Sequence, residues 1–477
     1  ADLEHSAPVT KETLLETGSV AKQFTAAAIL LLGQQGKLSL GDDVRRYLPE
    51  LPDYGVTIRI RDLVHQTSGI KDWQAVADLT GWGTGNRVFT NAGALALIAR
   101  QRTLNFLPGE EFLYSNSNYI LMATIVARVS GMSFADYTRR YLFEPAGMRH
   151  TQWRDNFRRV VPGRAIAYAY GDKGYETDMP LEDTHGDGGL LTTTEDLLKW
   201  NEFYSTGRLG GPVLLRKQVS CDTLRNGRIN YYGAGLFVQK NRGWRVIRHT
   251  GGTGSYRSYL AWYPELGLSV AWLSNTSRWD SSGHDPVRAV EQLFLPSRPA
   301  GDTRPEASEA RKSLPGGLDA EGWYRHRRSD YGIQVLQERG SYWAVERDER
   351  FPLEPVPGGF RMGSNQLLIS KGLLRYVNAD GDTAYYDGVA APDPLVNKAG
   401  FTGTFRSAEA QCGMRVALRR DTLYLVFDNE AAYPLKPTYR DAFRILEFGG
   451  VVNFRRNARG VVTAMHIGQG RARNVRF

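Results

Sequence analysis

Ser19-Val20-Ala21-Lys22, running on through Phe24-Thr25-Ala26-Ala27-Ala28-Ile29-Leu30-Leu31-Leu32, sets a hydroxyl and an amine three positions apart at the mouth of an apolar helical run. Positions i and i+3 share a helix face, so the Lys22 amine can reach the Ser19 oxygen. The positive end of the helix dipole disfavours an ammonium there, and burial acts in the same direction. A neutral amine can take the serine proton, which makes Ser19 a candidate nucleophile without a histidine. Alone, the tetrapeptide is weak: a Ser-x-x-Lys match arises about once by chance in a chain of this length. A helix N-cap serine followed by a surface lysine is its commoner meaning.

Its company changes that balance. Tyr114-Ser115-Asn116 follows, and then His249-Thr250-Gly251-Gly252 beside a strand-like run. Further stretches are Asp62-Leu63-Val64-His65-Gln66-Thr67-Ser68-Gly69, Pro108-Gly109-Glu110, and Gly188-Gly189-Leu190-Leu191-Thr192-Thr193-Thr194-Glu195-Asp196-Leu197. In this order they resemble the serine β-lactamase and penicillin-recognising enzyme family, closest to its class C and D-aminopeptidase branch, from about Ala1 to Pro296. The resemblance implies Ser19 as nucleophile, Lys22 as its activator and Tyr114 as the group that relays the proton to the leaving group. It implies Asn116 as a hydrogen-bond partner of the substrate amide, and the backbone N–H groups of Ser19 and Gly252 as an oxyanion hole. A glycine suits that last task because its amide can be approached closely. Thr250 and Gly251 are then substrate-binding positions.

The third motif departs from the family's Lys-Thr-Gly by carrying His249. An imidazole with its ordinary pKa near 6.5 is mostly neutral at pH 7. A substrate bearing a free carboxylate is therefore disfavoured, whereas the D-aminopeptidase branch and some esterase-like relatives share the histidine. A core histidine in a strand is the plain alternative. His65 reads as a loop-fixing residue. His185-Gly186-Asp187-Gly188-Gly189 reads as a turn that can line a cleft, with Asp187 a candidate partner for a substrate ammonium. No His-Glu-x-x-His, Cys-x-x-Cys or Walker loop occurs, so neither a metal nor a cofactor is expected.

The chain has 477 residues, is 42% hydrophobic and has a net charge of +9. That length suits several domains with substantial cores. The basic residues are scattered and accompany no nucleic-acid motif, so a nucleic-acid partner is not expected. No run of about 18 apolar residues predicts a membrane span. Cys221 and Cys412 lack a framework spacing and read as separate thiols. Relatives carry a helix and a strand hairpin before the nucleophile helix, but only eighteen residues precede Ser19 here. Either an upstream segment belongs to this chain, or its sheet lacks an edge that theirs possess. No leader is visible, which leaves the compartment open between an exported or periplasmic one and the cytoplasm.

Helical periodicity covers Ala94 to Arg100, Tyr119 to Ser130, Glu195 to Tyr204 and Val287 to Phe294. Strand patterns at Gly233 to Gln239, Trp244 to His249, Tyr256 to Tyr263 and Leu268 to Leu273 predict an antiparallel meander. Residues 297–317 shift to Pro, Gly and charge, as an exposed linker does. Beyond them Gly322-Trp323-Tyr324-Arg325 is answered by Gly403-Thr404-Phe405-Arg406, and Phe351-Pro352-Leu353-Glu354-Pro355 by Tyr433-Pro434-Leu435-Lys436-Pro437. With Phe360-Arg361 answered by Phe443-Arg444, the offset grows only from 81 to 83 residues, so one small β module is present twice. Closing each into a barrel removes its exposed edges.

The expected fold is α+β: a β-lactamase/transpeptidase-like domain (residues 1–296, an antiparallel sheet flanked by helices), a linker (297–317), and two small antiparallel β-barrels (318–396 and 397–477). This layout resembles the three-domain D-aminopeptidases, in which a barrel loop enters the cleft. Otherwise the modules serve stability or a homodimer. The expected activity is that of a serine hydrolase forming an acyl-enzyme, an aminopeptidase or amidase with D-residue preference acting on small peptides, amides or esters. A promiscuous esterase or weak β-lactamase is the alternative on the same residues. A non-hydrolytic penicillin-binding protein is the rival of another class.

Overall fold

The computed structural model describes residues 2–83, 87–278, 286–296, 320–378 and 383–477. The predicted linker at 297–317 lies outside them. Contacts divide the chain into two compact units, one of Ala1–Gln74 with Trp82–Asp302, the other of Ala75–Gly81 with Thr303–Phe477.

At the centre of the first unit is the helix Lys22–Gln34, in which Phe24, Ala26, Ala27, Ala28, Ile29 and Leu32 are wholly buried. A helix apolar on all sides belongs inside a protein, so this one is surrounded and not laid on a surface. The Asn116–Ser130 helix packs beside it with Ile120, Leu121, Ile125 and Val126 inward, and it ends at Gly131 in a left-handed conformation. The Gly18–Ala21 turn that leads into the central helix and the Thr194–Ser205 helix pack on a four-stranded antiparallel sheet in the order Leu268–Ser274, Tyr256–Tyr263, Trp244–Thr253, Phe237–Asn241. The predicted meander is present. Thr194–Ser205 and Pro286–Phe294 are helices close to the predicted bounds.

One strand starts later than expected. Gly233 to Leu236 forms a turn, and the strand begins at Phe237. The cause is close packing: a Cβ on Gly235, whose φ is +77°, would stand 2.6 Å from the Gln23 Cα. The backbone there lies flat on the first turn of the central helix, a course open to glycine alone.

In the second unit, eight strands from Gly322–His326 to Thr383–Val389 pair in sequence order, and the last returns to the first to close a barrel. Alternate residues such as Ile333, Val335, Phe360, Leu367 and Leu374 fill it. Two-residue hairpin turns such as Arg339-Gly340, with φ of +50° and +80°, join neighbouring strands. Eight more strands, Gly403–Ser407 to Ala472–Arg476, repeat the order in a second, barrel-like sheet. The internal repeat read from the sequence is thus a repeat of eight strands. Ala75–Gly81 packs within this unit: Asn429 Nδ2 donates to the Gly81 carbonyl at 2.6 Å, and the Cys412 thiol to the Leu79 carbonyl at 3.4 Å. Both cysteines are free thiols. Among the described residues no helix is long and apolar enough to cross a membrane.

Candidate active site

Ser19 sits in the 3-10 turn Gly18–Ala21, which leads straight into the Lys22–Gln34 helix. In a 3-10 turn residues i and i+3 eclipse, which is tighter than the α-helical spacing expected from sequence. Lys22 Nζ accordingly stands 3.1 Å from Ser19 Oγ. The lysine is fully buried. Its Nζ also donates to Asn116 Oδ1 at 2.8 Å and to the Asp187 carbonyl at 2.5 Å. A neutral amine that spends its two N–H groups on those acceptors turns its lone pair toward the serine. The Tyr114 ring centre lies 4.9 Å from Nζ.

Asn116 opens the Asn116–Ser130 helix, and its side chain is engaged at both ends, since Nδ2 donates to Gln74 Oε1 at 2.5 Å. Its backbone N–H donates to Asp72 Oδ2 at 2.6 Å. Just upstream, Gln66 holds a left-handed conformation at φ +61°. Its Oε1 accepts from the Ser115 N–H at 2.9 Å and from Asn118 Nδ2 at 2.6 Å. The segment from Gln66 to Gln74 therefore clamps the start of the helix that presents Asn116. Sequence reasoning missed Gln66, Asp72 and Gln74. The only signal was the Asp62–Gly69 stretch, which marked the neighbourhood without assigning a task to any amide.

His249 is buried near Tyr114, Tyr232 and Phe237, with ring centres 5.9, 5.9 and 5.3 Å away. Its Nδ1 is 2.6 Å from the Thr250 carbonyl, which can only accept, so the hydrogen lies on Nδ1. Nε2 then accepts from the Tyr232 hydroxyl at 3.3 Å. Burial pushes the imidazole down to about 3. At neutral pH it is an uncharged ring. Thr250 beside it is exposed.

Two glycines let the Trp244–Thr253 strand meet the serine turn. A Cβ on Gly251 would lie 2.0 Å from the Thr17 carbonyl and 2.9 Å from the Ser19 nitrogen. A Cβ on Gly18 would lie 2.7 Å from the Gly252 nitrogen. The backbones of Gly18-Ser19 and Gly251-Gly252 are therefore in direct contact, and Ser258 Oγ ties the seam by donating to the Thr17 carbonyl at 2.5 Å. Gly252 itself is exposed.

Asp187 is placed differently from the sequence expectation of a group facing substrate. It is buried, its carboxylate accepts from Trp73 Nε1 at 3.1 Å, and its main-chain carbonyl holds Lys22. Burial raises its carboxyl above the usual range. His65 is half-buried and bonds the Tyr232 carbonyl through Nδ1 at 3.0 Å, with Asn230 Nδ2 on its own carbonyl. It fixes the loop after its helix.

The structure thus gathers Ser19, Lys22, Tyr114, Asn116, His249, Gly251 and Gly252 into one locality. The β-lactamase family model matches residues 1–293. Penicillin-binding protein 4* of Bacillus subtilis (strain 168) is 29% identical over 390 residues, 76% of this chain and 80% of its own. The D-aminopeptidase of Brucella anthropi is 29% identical over 266 residues, 54% of this chain and 48% of its own, so the match spans about half of that relative's length. The octameric penicillin-binding protein homologue from Pyrococcus abyssi shares the fold, with a TM-score of 0.54 at 21% identity over 90% of each chain. With a family model matched across most of its length and hydrolases among its relatives, the chain belongs to the β-lactamase family.

Proposed function

We propose that the protein is a serine hydrolase working through an acyl-enzyme, with Ser19 as nucleophile and Lys22 as the base that takes its proton. The observation that carries this reading is the buried Lys22 Nζ held 3.1 Å from Ser19 Oγ by two other acceptors. As Ser19 Oγ bonds to the acyl carbon, its proton passes to Nζ, and the Tyr114 hydroxyl relays a proton to the leaving nitrogen or oxygen. The Ser19 and Gly252 N–H groups receive the carbonyl oxygen as it becomes negative. Water then attacks the ester in the same surroundings and releases the acid.

The preferred substrate is a peptide or amide with a free amino-terminal D-residue. Support comes from the D-aminopeptidase relatives and from His249, whose neutral ring puts no cation where the family's lysine meets a carboxylate. Turnover of D-aminoacyl anilides, with L-anilides, nitrophenyl esters and a chromogenic cephalosporin much slower, is the expected pattern. Fastest turnover of esters regardless of a free amine would transfer the assignment to an esterase. A stable adduct without turnover would transfer it to a penicillin-binding protein. Intact-mass measurement after a fluorophosphonate should show a single adduct, absent in Ser19→Ala. Its persistence in that variant would remove Ser19 from the role.

A further inference from the structure

The exposed tip of the strand that carries Gly252 is gripped by two carboxylates from one loop, and neither belongs to any motif above. Glu182 is buried, and both of its oxygens are engaged. Oε1 accepts from Thr253 Oγ1 at 3.1 Å, and Oε2 from Thr184 Oγ1 at 2.8 Å. Four residues earlier, Asp178 accepts from Ser255 Oγ at 2.7 Å, and its carbonyl from the Ser255 N–H at 3.1 Å. Between these points Gly254 has φ +47°, and a Cβ there would stand 2.5 Å from the Asp178 carbonyl. The turn after Gly252 is thus pressed onto residues 178–182.

Glu182 is anchored in turn. Arg154 Nη2 lies 3.9 Å from its Oε1, and Arg154 makes a two-pronged bond to Glu16 at 2.7 and 3.0 Å, both residues being shut off from water. Glu16 adjoins Thr17, whose carbonyl forms the seam with Gly251 and Ser258. The same Glu16–Arg154–Glu182 network therefore braces the Gly252 strand from the serine side and from its tip.

We propose that Glu182 is a positioning residue that aims the Gly252 N–H at the developing oxyanion by holding the Thr253 hydroxyl. The inference rests on the reading of Ser19 and Gly252 given above. Gly252 has no side chain, so the direction of its N–H is set by the backbone on either side. Of its two chain neighbours, Gly251 and Thr253, only the threonine carries a side chain that can be tied down. Oxyanion donors act by being fixed before the charge forms, so a loosened tip lowers turnover more than binding.

Charge adds a pH signature. Glu182 faces the carboxylates of Glu16 and Asp187 and the guanidinium of Arg154, with Asp183 and Arg164 bordering the same network. Burial first, then the Asp187 and Glu16 charges, push its carboxyl up to about 7. Only the ionised form accepts from both threonines. The neutral acid must donate through one oxygen and so disturbs one of the two bonds.

The test uses the full chain, D-alanine p-nitroanilide and the variants Thr253→Val and Glu182→Gln. Thr253→Val keeps the side-chain shape and should lower kcat about tenfold with KM within about twofold. Hydrogen exchange of the Gly252 to Ser255 amides should rise about tenfold in it. Glu182→Gln, which can accept from one hydroxyl and donate to the other at every pH, should flatten the acid limb of kcat near neutrality. Unchanged exchange, unchanged kcat in Thr253→Val, or a Glu182→Gln profile overlying the parent's would each overturn the proposal. Exchange reads the clamp without turnover, and fluorophosphonate labelling of Ser19 in the parent reads the site without the clamp. Failure of one is thereby separated from failure of the other.

Discussion

Lys22 serves the proposed reaction only as an amine able to lose its proton, and this separates it from every residue that merely needs a charge. Replacing it by arginine keeps length and cation but fixes the proton, because a guanidinium does not deprotonate in proteins. Lys22→Arg should reduce kcat by about a thousandfold, a magnitude ordinary for loss of a general base. Survival of more than about a tenth of the activity would remove the lysine from that role. His249 makes a prediction about stability. Its folded pKa is depressed to about 3 against an ordinary 6.5, so below pH 6.5 the unfolded chain binds a proton that the folded one refuses. Stability should fall as pH drops from about 6.5 toward 3, by about 1 kcal/mol per pH unit from this group. Glu182 has the opposite sign: raised to about 7 from 4.5, it favours the fold at low pH and withdraws that support as pH climbs through 7. Urea titrations at pH 7 and pH 5 should give a smaller loss in His249→Asn than in the parent. Equal losses would show that the imidazole is not held neutral.

At the level of elements, the decisive contact is the seam between the Gly18–Ala21 turn and the end of the Trp244–Thr253 strand. Gly251→Ala drives a methyl group to 2.0 Å from the Thr17 carbonyl, whereas on Gly252 the nearest atom is Arg257 Nη1, the tip of a long side chain, at 3.3 Å. Gly251→Ala should therefore destabilise the chain by at least about 2 kcal/mol, and Gly252→Ala by less than about 1 kcal/mol. Thermal melts of the two read this directly, and equal melting temperatures would mean the seam is loose. Much of this level was legible beforehand. The spacing of Ser19 and Lys22, the meander and the doubled β module each carry a period or an interval that sequence displays. The Gln66–Gln74 clamp does not. Its amides and carboxylate act through contacts 42 to 52 residues away, from a segment with no apolar rhythm and with a conformation at Gln66 that propensity argues against. The turn at Gly233 was misread as strand for a related reason, since only the packing against Gln23 shows why it cannot extend.

Across the whole molecule, compact units and sequence blocks do not coincide. A reading by composition cuts the chain near Pro296, yet Ala75–Gly81 packs with residues beyond 303. A polypeptide ending at Pro296 should therefore be clipped by a protease within residues 75–81 under conditions where the full chain resists. Equal resistance would mean that the short segment holds its shape unaided. The same arrangement bears on synthesis. The bonds from Gly81 to Asn429 and from Leu79 to Cys412 bridge 348 and 333 positions, so no nascent chain can make them until the intervening residues have been synthesised. Until then the polypeptide must carry residues 75–81 without their permanent partners. Slow emergence of the segment from Cys412 to Asn429 would then leave a window for chaperone capture, written into the molecule by seven residues.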